Sequence, residues 1–139
     1  MIILDTNVLS ALMRQQPEPP VVTWLDRQPA ESIWISSVTL FEAHFGLALL
    51  PQGRRKDLLL GKFDQLLQAL NNRVLLFDAA AALMAARLAA NCRSAGRVVD
   101  MRDTFIAGIA LARAATLATR NTRHFRDLSV AVVDPWAPA

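Results

Sequence analysis

The sequence predicts an α/β fold with a mostly parallel central sheet of about five strands flanked by helices. Three observations lead there. Short apolar runs of strand length recur along the 139 residues, at 1–4, 32–36, 73–77, 117–119 and 130–133. Most of the longer segments between them carry apolar residues at helical spacing. Pro, Gly and N-capping residues punctuate the boundaries, so strands and helices alternate as they do in parallel sheets.

Taken in order, the run 1–4 (Met-Ile-Ile-Leu) reads as a buried strand and Asp5-Thr6-Asn7 as a turn or helix cap. Residues 8–14 read as a helix that Pro17, Pro19 and Pro20 end; Pro20 can open the next, to Arg27. After the strand 32–36, Ser36 or Ser37 can cap a helix over 38–50, which Pro51 and Gly53 stop. A second long helix, 54–70, has Leu59, Phe63, Leu66, Leu67 and Leu70 on one face. These two consecutive helices depart from simple alternation. A strand at 73–77, an Ala-rich helix from 79 to about 94 and a helix at 100–115 follow, then the last two strands and a Pro-containing tail. With no repeat, low-complexity tract or linker, 1–139 is expected to be a single domain.

Composition narrows the classes. At 53% hydrophobic and 19% charged, the chain is globular rather than disordered. Its longest apolar stretch, 79–86, falls far short of the roughly 20 residues needed to span a bilayer. Lacking a signal-peptide pattern, the chain is expected to be cytoplasmic and away from membranes. A single cysteine, Cys92, excludes an internal disulfide and a Cys-based zinc site, and is expected to pack in the core. His44 and His124 lie 80 residues apart with no zinc-like spacing, so ordinary helix or surface positions are expected for both. No Gly-rich phosphate loop or nucleophile elbow is present. The formal charge is +3; setting aside Asp5, Glu42 and Asp103 leaves 15 cationic against 9 acidic side chains. That balance suits a polyanionic partner and equally a solvated basic surface.

The candidate chemistry lies in three acids. Asp5 follows the first strand, where sites form in open parallel sheets, and it can equally be a helix N-cap. Glu42 lies beside an apolar stripe of Val38, Phe41, Phe45 and Leu49, so its carboxylate is expected to be partly buried. It is either a metal ligand or a rim residue paired with an arginine. Asp103 heads the stripe Ile106, Ala107, Ala110 and Leu111, with Asp100 one turn earlier as the cap. It is either a ligand or a first-turn acid facing the helix dipole. Together the three differ from any one alone. Clustered carboxylates raise each other's pKa unless a cation neutralises them. Oxygen-only ligands point to Mg²⁺ or Mn²⁺, which would activate water for in-line attack on a phosphodiester.

The opening Met-Ile-Ile-Leu-Asp-Thr-Asn-Val-Leu-Ser resembles that of PIN-domain ribonucleases, in particular VapC-type toxins and their FitB-like branch. The likeness continues through Ile-Ser-Ser-Val-Thr-Leu-Phe-Glu (35–42), Arg-Asp-Thr-Phe-Ile-Ala-Gly (102–108), Ala-Thr-Arg-Asn-Thr (118–122) and Val-Asp-Pro-Trp (133–136), nearly the whole chain. It implies a PIN-like parallel-sheet fold and a Mg²⁺- or Mn²⁺-dependent endoribonuclease, the toxin of a type II toxin–antitoxin system. The family's acids match Asp5, Glu42 and Asp103, as catalytic residues and metal ligands. Thr6, Asn7, Ser36 and Thr119 match pocket positions, and Asn7 can orient Asp5 or serve the turn. Many relatives carry a fourth acid where this chain has Asn121, so Asn121 is expected to be at most a weak ligand. Relatives homodimerise and take a small VapB-like antitoxin, which alone contacts DNA; here the matching region includes Phe45, Leu49, Leu50, Arg54 and Arg55. Arg120, Arg123 and Arg126 are candidates for RNA phosphates, with ordinary surface positions as the alternative.

Three rivals stand beside this reading. An aspartyl phosphatase would want a second Asp where Asn7 stands, and a phosphoacceptor receiver would want a lysine after 117–119. A catalytically impaired interaction module acting with a DNA-binding antitoxin would draw only on Asn121. Dependence of cleavage on divalent metal and on Asp5 separates the nuclease from that module.

Overall fold

The computed structural model describes residues 1–138. Strand β1 (Ile2–Leu4) leads into helix α1 (Thr6–Met13) and then α2 (Pro19–Asp26), with Pro at its start. Strand β2 (Ile33–Ser36) feeds α3 (Ser37–Ala48), followed by α4 (Arg54–Ala69), β3 (Val74–Leu75) and α5 (Ala79–Ser94). Helix α6 (Met101–Ala112), β4 (Thr116–Ala118), a short α7 (Thr122–Asp127) and β5 (Val132–Val133) complete the order.

All five strands form one parallel sheet in the order β3-β2-β1-β4-β5, so the chain's first strand is the central one. Alternation along each strand feeds two cores. Ile3 and Leu117 face one side, with Ile106, Ile109 and Phe125. Leu4, Ile33, Ile35 and Ala118 face the other, with Val8 and Val21. A third cluster of Leu9, Met13, Leu47 and Phe63 joins α1, α3 and α4. Covered on both faces, the strands read as continuous apolar runs.

The capping expectations hold. Asp5 accepts from the Thr6 N–H at 2.8 Å, Ser36 from Thr39 at 3.0 Å, and Asp100 from Asp103 at 3.1 Å. Cys92 is a buried core residue. Several details differ from the sequence expectation, among them the last strand, which is Val132–Val133 rather than 130–133, and the helix expected over 100–115, which ends at Ala112. Strand β3 pairs only over Val74–Leu75, because it is an edge strand held by β2 alone. Helix α7 was not expected. The stripe Phe41, Phe45 and Leu49 is not core: these side chains are 62%, 55% and 69% exposed, with Phe41 and Phe45 stacked at 5.8 Å. Helix α3 instead buries Thr39 and Leu47.

Candidate active site

Each of the three acids is placed by an element boundary. Asp5 extends the ladder past β1, its N–H donating to the Ala118 carbonyl at 2.9 Å. Its side chain is buried, and Thr119, one residue past β4, donates its hydroxyl to Asp5 Oδ2 at 2.7 Å. Asn7 Nδ2 lies 3.4 Å from the same oxygen and 3.3 Å from Thr119 Oγ1, and Asn7 Oδ1 accepts from the Arg120 N–H. Parallel pairing of β1 with β4 thus brings residues 5 and 119 side by side at the carboxyl edge of the sheet.

Glu42 reaches the same edge from α3. Thr6 donates its hydroxyl to Glu42 Oε1 at 3.0 Å, and Arg102 pairs with Oε2 at 3.2 Å. Glu42 is partly buried as expected, but by facing this cleft rather than an apolar core. Ser36 and Thr39 back it: Ser36 donates to Thr39 Oγ1 at 3.2 Å, and Thr6 Oγ1 lies 3.5 Å from Thr39 Oγ1. Asp103, in the first turn of α6, faces His124 of α7, whose Nε2 stands 3.3 Å from Asp103 Oδ2.

The electrostatics tie the acids together. Burial raises the Asp5 pKa against the opposing hydrogen bonds from Thr119 and Thr6. Burial and then the neighbouring Asp100 charge raise that of Asp103, and Asp5 and Glu42 add to the rise. His124 opposes it in both. Asp103 therefore senses both other acids.

Asn121 is exposed, its N–H donating to Thr119 Oγ1 at 3.0 Å. Arg120 lies over the Trp136 ring at 4.7 Å, while Arg123 and Arg126 are exposed and pair with no acid among the described residues. Three residues at the cleft were not foreseen as site members: Arg102, Thr39 and His124. Arg102 sat inside a recognised motif beside Asp103. His124 gave no sequence signal, because only the packing of α7 on α6 sets it against Asp103.

The PIN domain family matches residues 2–130. The chain belongs to the PIN-domain family. It is 42% identical to the plasmid stability protein StbB of Pseudomonas syringae pv. tomato, over 98% of this chain and 99% of that protein. It is 38% identical to the VapC ribonuclease Y4jK of Sinorhizobium fredii over all of both, and 37% identical to toxin FitB of Neisseria gonorrhoeae over 98% and 99%. Among solved structures, a chain of FitAB bound to an IR36 DNA fragment superposes with a TM-score of 0.91 at 36% identity, over 100% of this chain and 98% of that one.

PIN-domain nucleases generally depend on a divalent metal ion. As placed, no three His, Cys, Asp or Glu side chains among the described residues enclose a common point for an ion. The donor chemistry fits one nonetheless. Three carboxylates of separate elements share a cleft where two have raised pKa values, and the buried His124 Nε2 has no hydrogen-bond partner. Enclosing an ion requires a side chain to turn. Glu42 is the one on a long stem, held by an exposed arginine.

Proposed function

We propose that this PIN-domain chain is a Mg²⁺- or Mn²⁺-dependent endoribonuclease, the toxin component of a type II toxin–antitoxin pair. The observation that carries this reading is the convergence of Asp5, Glu42 and Asp103 at the carboxyl edge of the sheet: Thr6 bonds both Asp5 and Glu42, and Arg102, next to Asp103, pairs with Glu42. Relatives whose names record a VapC ribonuclease and a toxin support it.

In this reading Asp5, Glu42 and Asp103 hold the ion, and Asn121 offers a weak carbonyl oxygen at the rim. The bound cation would supply an acidified water and a clamp for the scissile phosphate. The remaining work falls to the chain's own side chains. Thr119 and Asn7 fix the Asp5 carboxylate, leaving little freedom in its direction. Thr6 and Arg102 hold Glu42 at the cleft, and Ser36 with Thr39 supports the floor beneath it. Arg120, Arg123 and Arg126 present positive charge beside the cleft to RNA phosphates. Hydrolysis adds water across one P–O bond, and both ends leave with the strand.

The exposed Phe41, Phe45 and Leu49 face of α3, with Leu50, Arg54 and Arg55 beyond it, receives a small VapB-like antitoxin. DNA is contacted through that partner, as the FitAB complex with DNA suggests by analogy, and the toxin homodimerises. The whole acts as one domain over 1–139. No helix among the described residues is long and apolar enough to cross a membrane.

The test is to incubate purified chain with cellular RNA, with and without Mg²⁺ or Mn²⁺, and map the new ends. Metal-dependent internal cuts are expected, and Asp5→Ala should abolish them while the protein still folds. Full activity of Asp5→Ala would sink the mechanism.

A further inference from the structure

His124 stands apart from the other polar side chains of the cleft. Its Nε2 is shielded from solvent yet makes no hydrogen bond, although Asp103 Oδ2 is only 3.3 Å away. A shielded polar atom left unsatisfied is destabilising and calls for a partner. The imidazole is held in place, edge-on to the fully buried Phe125 ring at 5.3 Å. Phe125 and Ile106 share one core cluster, so α7 and α6 present the His124–Asp103 pair together.

The spacing of the pair has a chemical meaning. Two donors each about 2.1 Å from one ion, at right angles, stand about 3 Å apart. The separation of Nε2 from Oδ2 is close to that edge length. We propose that His124 is a ligand of the active-site metal, binding through Nε2 beside Asp103, so that the donor set is mixed nitrogen and oxygen. This rests on the metal-dependent reading above. Asn121, exposed at the other end of α7's first turn, is then peripheral.

A nitrogen donor changes which ion the site favours. Mg²⁺ takes oxygen ligands and keeps its waters, whereas imidazole is a common ligand for first-row transition ions. The site therefore prefers a first-row divalent ion such as Mn²⁺ over Mg²⁺, and the preference resides in His124.

The chain has two histidines, which makes the assignment direct. His44 lies on α3 against Phe63, its ring edge-on at 5.0 Å, and serves as the control. Tag-free full-length chain is loaded with Mn²⁺ and examined by electron spin echo envelope modulation, with binding followed from the free aqueous Mn²⁺ signal. The wild type should show imidazole ¹⁴N coupling. His124→Gln should lose it, bind Mn²⁺ at least about tenfold more weakly, and yield Mn²⁺ to Mg²⁺ more readily. His44→Gln should change neither. Where His124→Gln folds poorly, His44→Gln makes the same assignment, because coupling that persists without His44 can come only from His124. Bound Mn²⁺ without imidazole coupling, or coupling that survives His124→Gln, overturns the assignment and leaves the metal-dependent nuclease standing. Absence of Mn²⁺ binding by the wild type, or Mn²⁺ binding unchanged in Asp5→Asn, brings down that reading and this one with it.

Discussion

Asp5 is both a helix cap and a buried carboxylate, and the two roles pull its energetics in opposite directions. The cap and the Thr119 hydroxyl favour the charged form, while burial disfavours it and prevails. Its native pKa is therefore above the unfolded value near 3.8. The folded state binds the proton more tightly, so stability falls as pH rises from near 3.8 through the raised native value. Below that window the charge contributes no such penalty. In metal-free buffer at neutral pH, Asp5→Asn should melt a few degrees higher than wild type. The gap should close as the pH is lowered towards 3.8, and thermal unfolding across a pH series would show it. A wild type that is the more stable protein at neutral pH would refute the claim that burial dominates at this residue.

At the scale of elements, the tightest packing is α5 on α6. A Cβ on Gly108 would stand 2.6 Å from the Ala81 carbonyl oxygen and 2.8 Å from the Ala85 Cβ. Both obstacles are backbone or backbone-adjacent, so the helices must part. Gly108→Ala should cost about 1–3 kcal/mol, read as a lower urea midpoint. Because α6 carries Asp103, cleavage should fall as well. The alternation of strands and helices, the caps Asp5, Ser36 and Asp100, and the two long helices before β3 were legible because each leaves a local mark in the sequence. Helix α7 was not: six residues with Phe125 as their one buried side chain make no periodic stripe. Glu42 was placed at the right depth for the wrong reason. Periodicity marks the Phe41, Phe45 and Leu49 face as apolar but cannot say whether its cover lies in the same chain. His124 depended on a tertiary contact between residues of two helices, which no spacing in one of them encodes.

For the molecule as a whole, the exposed face of α3 and the acid cleft open from the same helix, since Glu42 follows Phe41 directly. A partner seated on Phe41, Phe45 and Leu49 would therefore touch the element that positions one of the three acids. Exposed stacked aromatics are the usual anchors of an interface, where truncating one costs about 2 kcal/mol or more. If the proposed antitoxin docks on this face, Phe45→Ala should weaken its binding by about 30-fold in calorimetry, with the melting temperature of the free chain unchanged. Equal affinity would place the antitoxin elsewhere. The order β3-β2-β1-β4-β5 has one more consequence, for how the chain is made. Strand β1 is the middle of the sheet, and its β4 neighbour is synthesised more than a hundred residues after it. Until residue 119 has emerged, Asp5 lacks the hydroxyl that orients it. A chain cut short before residue 119 thus cannot orient Asp5 in this way, so the proposed cleavage would be confined to chains that carry both β1 and β4.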